Sequence, residues 1–256
     1  TTAANAWIVG FTSRNNVPKR MIYQTGVSYL DKFTGLLNPY APPVLPDKDS
    51  SNRGRRFWVA YPINQLAGSQ DMVIYLSAQE AANVQVKING TTWVRNYSVP
   101  ANTVIPTDII PKAGADNAFL NTPGLFNQGI SITSDVPIVA YAHVYGSASS
   151  GASMLMPVGV WGYEYKTLCI TGSGGYSDSR HYFYVIADND NTKVQVTPSV
   201  ATSNTTPAFP ANTPTTVTLN KGQVLLVVST GATSATPKLR VANSGATCKK
   251  LAANSW

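Results

Sequence analysis

Few residues in this chain could do chemistry. Its 256 residues include two histidines, two cysteines, two glutamates and ten aspartates. One of the histidines, His181, follows closely on Asp178 and Ser179. A hydrolytic triad needs a nucleophile on a sharp turn facing a histidine and a carboxylate, and neighbours in sequence do not make that geometry. No GxSxG elbow is present, so 178–181 reads as surface loop. The other histidine, His143, lies in the apolar run IVAYAHVYG, where alternation places it with Tyr141 and Tyr145 on one face of a strand. The acid-amide group Asp188-Asn189-Asp190-Asn191 offers spaced oxygens of the kind that hold Ca²⁺. However, the sixth and twelfth positions of such a loop fall on Lys193 and Ser199, so it reads as a strand-to-strand turn. Cys169 and Cys248 have no metal-site spacing and read as two buried thiols, or as a disulfide in an oxidising compartment. Two glutamates are a poor staff for paired-acid glycoside hydrolysis. The Gly/Ser-rich loops at 146–151 and 171–175 lack the lysine of a phosphate loop. The residues thus supply no catalytic, cofactor-binding or metal-binding set. Three glycosylation sequons start at Asn89, Asn96 and Asn204.

The elements that would position these groups are strands. Charged residues are 12% of the chain and hydrophobic ones 43%. The composition leans toward Thr, Val, Tyr, Asn, Gly and Pro, which suits strands and turns. No window shows a convincing helical period, which excludes a bundle or coiled coil. RRFWVAYPI and DMVIYLSA are strand-like runs. Residues 82–88 alternate, with Val84, Val86 and Ile88 on one side and Gln85 and Lys87 on the other. Asn89-Gly90 then predicts a hairpin returning through TWVRNYSV. Further strands are expected at 104–110, 130–133, 137–145, 165–170, 181–187, 193–197, 215–219, 223–229 and 238–242. Short strands at such spacing predict a sandwich or jelly-roll architecture. The longest wholly apolar run is Val224–Val228, far too short to span a membrane.

An internal repeat organises the strands. DMVIYLSAQEAANVQV from Asp71 aligns without gaps with HYFYVIADNDNTKVQV from His181, and the same offset pairs the PANT segments at 100–103 and 210–213. The expected fold is all-β: two related β-sandwich (jelly-roll-like) units in tandem, with an N-terminal extended segment. The expected division is 1–52 as N-terminal segment and Pro-rich linker, 53–160 as first unit and 161–256 as second. The segment before residue 50 carries Trp7, Ile8, Val9, Phe11, Met21, Ile22 and Tyr23, which need burial either in its own unit or on a neighbour. Starting at Thr1 with no leader-like stretch, the chain reads as a processed chain or an excised piece.

RGRRFWVAYP, QGISITSDVPIVAYAHVYG, MLMPVGVWGYEY, YFYVIADNDNTKVQVTP and VTLNKGQV occur in this order. Together they resemble the family named after the N-terminal region of the IgGFc-binding protein, over roughly residues 53–256. After Val228 the resemblance weakens, because the chain ends ATCKKLAANSW where the family tends to a hydrophobic-and-glycine ending. The resemblance implies an extracellular β-rich module of an adhesin, matrix or filament-like protein, such as occurs in large surface proteins of gliding bacteria that use type IX secretion. It carries over no residue set for binding immunoglobulin.

The resulting expectation is a non-enzymatic structural or adhesive module of a bacterial cell-surface or filament-forming protein. Its expected partners are further copies of itself or neighbouring domains of a longer surface protein. The net charge of +7 has no long basic stripe, so nucleic acid is not expected. The alternative is a carbohydrate-binding module that meets surface glycans through exposed rings. Its candidate contacts are Trp93, Tyr97, Tyr163 and Tyr165, each of which could equally be a core or cross-strand aromatic.

Overall fold

The computed structural model describes residues 52–62, 70–146, 150–162, 165, 182–199, 201–202, 208–228, 238–239 and 251–255. The N-terminal segment, both cysteines, His181 and the strand expected at 165–170, apart from Tyr165, lie outside the described residues. The described chain is all-β, with one 3₁₀ turn at Val158–Val160 and no α-helix.

Ten strands build the first part: β1 (Gly54–Val59), β2 (Tyr61–Pro62), β3 (Asp71–Ala78), β4 (Ala82–Ile88), β5 (Val94–Val99), β6 (Thr103–Pro106), β7 (Phe119–Leu120), β8 (Gly124–Phe126), β9 (Ile130–Tyr145) and β10 (Ser150–Met154). The two strands expected at 130–133 and 137–145 are one 16-residue strand, β9. Its first part, Ile130–Ser134, pairs with β4, and its second, Ile138–Tyr145, pairs with β3. β1 pairs mainly with the first part and β10 with the second. The seven-stranded sheet therefore curls around one core. Strand alternation fills that core with Phe57 and Val59 of β1, Met72, Ile74 and Leu76 of β3, and Val84, Val86 and Ile88 of β4.

The second part has β11 (Tyr182–Ala187), β12 (Thr192–Thr197), β13 (Thr215–Leu219), β14 (Val224–Val228), β15 (Lys238–Leu239) and β16 (Leu251–Ser255). One sheet runs β16-β11-β14-β8 and another β13-β12-β15. Phe183, Val185 and Ala187 of β11, Val194 and Val196 of β12, and Leu225 and Val227 of β14 share one core. The other faces of β11 and β14 are also buried. Tyr184, Ile186, Val224 and Leu226 pack with Trp58 of β1 and Ala60 just after it, on the side of β1 away from the first core. Burial on both faces explains why FWVAY, YVIA and VLLVV are unbroken apolar runs rather than alternating ones. β8, from the first part, completes the sheet of β14.

The repeat holds in layout but slips by one residue. In both parts a first strand (β3, β11) crosses by a short turn to a VQV strand (β4, β12), and Val84, Val86, Val194 and Val196 are all buried. The PANT turns share an asparagine at positive φ, Asn102 at 57° and Asn212 at 52°. Ala78 and Ala187, however, are the last inward residues of the first strands, six residues before Val84 and seven before Val194. The second crossing is thus one residue longer, and the gap-free alignment equates inward Ile74 with Tyr184, which faces β1.

Candidate binding surface

Two features stand out: a seam that joins β1 to the second part, and a concavity beside it on the same outer face.

The seam is built by the second crossing. Asp188 is only 6% exposed. It accepts hydrogen bonds from Arg56 at 2.7 and 3.0 Å and from the Trp58 indole at 2.8 Å. Arg56 and Trp58 alternate outward on β1, so one carboxylate gathers both side chains. Charge-assisted bonds of this kind are stronger than neutral ones. Asp190 Oδ1 accepts the Lys221 N–H at 3.0 Å, and Asn191, at φ 56°, donates its N–H to Asn220 Oδ1. The oxygens read from sequence as turn formers thus tie the crossing to β1 and to the 220–223 turn.

Glycines let the backbones approach. Gly129 donates its N–H to the Gly222 carbonyl at 3.1 Å, and a Cβ at Gly129 would sit 2.5 Å from that oxygen. Gly222 has φ 78°, and a Cβ there would meet the Asn89 side chain at 2.7 Å and the Trp58 ring at 3.0 Å. This explains the NKGQ of VTLNKGQV. The Asn89-Gly90 hairpin forms, but with a longer loop than the dipeptide predicts, since β5 starts only at Val94. Asn89 is recruited to the seam, its amide donating to Asn127 Oδ1 at 2.7 Å, and only Gly90 takes positive φ.

Beside the seam, the outer face of β4, β5 and the start of β9 forms an open cavity of about 350 Å³. Asn83, Gln85, Asn96, Ser98, Thr133 and Asp135 line it with amides, hydroxyls and one carboxylate. Register places Ser98 opposite Asn83, and Asn96 and Thr133 on either side of Gln85. Asp135 accepts the Asn83 backbone N–H and side-chain amide, each at 2.8 Å. These two bonds hold its carboxyl below the ordinary range. Gln85 Nε2 donates to Asn96 Oδ1 at 3.0 Å. The signal for this face was present in the sequence as the outward half of the 82–88 alternation.

Of the four aromatics nominated from sequence, the three described ones, Trp93, Tyr97 and Tyr165, each pack on a core. Trp93 is 5% exposed in the first core, with the Arg95 guanidinium 5.0 Å from its ring centroid. Tyr97 packs on the same core, its hydroxyl accepting the Asp108 N–H at 3.1 Å. Tyr165 packs on the second core and its hydroxyl accepts the Gly162 N–H at 2.7 Å. Burial pushes both phenols up. Tyr163 lies outside the described residues. His143 does share a face with Tyr141 and Tyr145, as alternation predicted. It stacks on Tyr145 with centroids 5.1 Å apart and hydrogen-bonds Ser150 Oγ through Nε2 at 2.8 Å. Of the basic cluster, Arg56 is held by Asp188, and Arg53 donates to Gln79 Oε1 at 2.9 Å.

The stretch that contains the second core and the Asp188 and Gly222 turns also carries a family signature. Residues 151–253 match the family model described as IgGFc binding protein. The match runs from within β10 into β16 and so continues past Val228, where the sequence resemblance weakens. The amide-lined cavity, at 83–135, lies outside it. No curated protein and no solved structure matches the chain. Among the described residues no helix is long and apolar enough to cross a membrane.

Proposed function

We propose that the chain is a non-enzymatic extracellular binding or adhesive module that serves, by self-association or by packing against neighbouring domains, in a bacterial cell-surface or filament-forming protein. The observation that carries this reading is the family match over residues 151–253. The seam supports it. Two cores joined through a shared face of β1 and a buried charged clamp suit a module that must transmit load without its halves separating. Sedimentation velocity of the full chain over a wide concentration range, together with adhesion of chain-coated beads to bacterial cell surfaces, tests it. Reversible association or specific bead adhesion is expected, and a chain that stays monomeric and non-adherent throughout contradicts it. A second reading, a carbohydrate-binding module, is favoured by the concave, amide-lined face of β4 and β5.

A further inference from the structure

The cavity on β4, β5 and β9 has a chemistry that selects its occupant. Most of its lining residues carry neutral amides or hydroxyls, beside Val84, Tyr97 and a single carboxylate, Asp135. Small-molecule pockets are mostly apolar; this one mixes Val84 and Tyr97 with amides and hydroxyls, and because the Val84 side chain is buried in the first core, its recognition groups are the polar ones. No lysine or arginine lines the cavity, so nothing there would attract phosphate or another anion. The amides are fixed before a ligand arrives: Asn83 by Asp135, Gln85 and Asn96 by each other. That arrangement leaves Gln85 Oε1 as an acceptor and the Asn96 amide hydrogens as donors at the open face. Side-chain amides both donate and accept, which matches a ligand whose every polar group is a hydroxyl that does the same.

We propose that this concavity is a saccharide site, in which Gln85 and Asn96 hydrogen-bond the hydroxyls of a neutral sugar and Asp135 turns away acidic ones. The proposal rests on the carbohydrate-binding reading and gives it a place and a specificity. Asp135 acts through charge: its carboxylate is held ionised by Asn83 and repels the carboxylate of a sialic acid or uronic acid. An open, shallow site of this kind binds each sugar weakly, so a multivalent display is the suitable probe.

The test is a printed array carrying neutral hexose and N-acetylhexosamine oligosaccharides beside sialylated and uronate-containing ones, probed with the full 256-residue chain. Binding is expected on neutral spots only. The double variant Gln85→Ala/Asn96→Ala should lose about tenfold in apparent affinity with its melting temperature unchanged, since both residues are exposed. Asp135→Asn should keep the neutral spots and gain acidic ones. If neutral spots bind the double variant as well as the parent, the site is wrong while the carbohydrate reading stands. If no spot binds the parent, that reading falls with the site, and the adhesive reading is untouched. If Asp135→Asn still rejects acidic spots, the role given to Asp135 is overturned.

Discussion

The two strand crossings of the repeat do the same topological task with opposite surroundings. The first, Gln79–Ala81, is exposed throughout, and Arg53, just before β1, reaches it through an exposed bond to Gln79. The second, Asp188–Asn191, is one residue longer and turns a nearly buried carboxylate onto Arg56 and Trp58. An arginine near the start of β1 thus reaches each crossing, yet only in the second is the acceptor it meets, Asp188, nearly buried. The difference teaches that a repeat can keep its strand plan while one copy converts its turn into a joint. The extra residue has a structural use, because it lets the crossing carry Asp188 to β1 while Val194 and Val196 remain in the core.

The largest expected effects test whether the copies are equivalent in their cores. Val84→Ala with Val86→Ala, or Val194→Ala with Val196→Ala, should each cost about 2–4 kcal/mol by denaturant unfolding. A much smaller cost for one pair would break the equivalence. Next comes the contrast between crossings. Asp188→Ala removes a buried acceptor of three hydrogen bonds, and the half-exposed Arg56 moderates the loss, so about 2–3 kcal/mol is expected. Glu80→Ala, on the exposed crossing, should stay within about 0.5 kcal/mol. Equal costs would remove the distinction drawn here.

Alkali gives a smaller, graded effect. Tyr61 in the first core and Tyr182 at the seam are both raised above the ordinary phenol value, chiefly by burial. The unfolded phenols ionise first, near pH ~10. The stability from these buried neutral rings is therefore complete below that pH and is lost as pH rises toward the folded values. Absorbance titration of Tyr61→Phe and Tyr182→Phe should show each removing one late-titrating phenol. The smallest effect is at Asp135. Its carboxyl should titrate below the usual ~3.9 by NMR, so its bonds to Asn83 persist above that pH and fail only as pH falls through the lowered value. Asn83→Ala should return the midpoint toward the ordinary one.

Sequence reasoning succeeded where one face of a strand is wet. The alternation at 82–88 appears as strict in-out burial along β4, and both VQV strands fall in the core. It failed where alternation carries no phase. β11 is buried on both faces, so nothing in HYFYVIA tells the inward residues from those facing β1, and the one-residue slip was invisible. β7 and β8 are two and three residues long, too short to show a period. β10, SGASM, is small and polar and forms by pairing with β9. The clamp was hidden for another reason: an Asp in a turn looks the same whether it meets water or an arginine 132 residues away. The aromatic candidates show the same limit, since Trp93 in a hairpin reads equally well as a sugar platform or as core. The amide-rich face of Asn83, Gln85 and Asn96 was in plain view, but only the register of β4, β5 and β9 gathers it into a cavity.

The central claim is that the seam makes the two cores one cooperative body. Native-state hydrogen exchange tests it most directly, comparing the amides of Val84 and Val86 with those of Val194 and Val196 in the parent chain and in Asp188→Ala. The account predicts a common opening free energy for both strands in the parent, and a fall by about the same amount in both in the variant. Separate opening energies in the parent, with only β12 responding to the substitution, would contradict it.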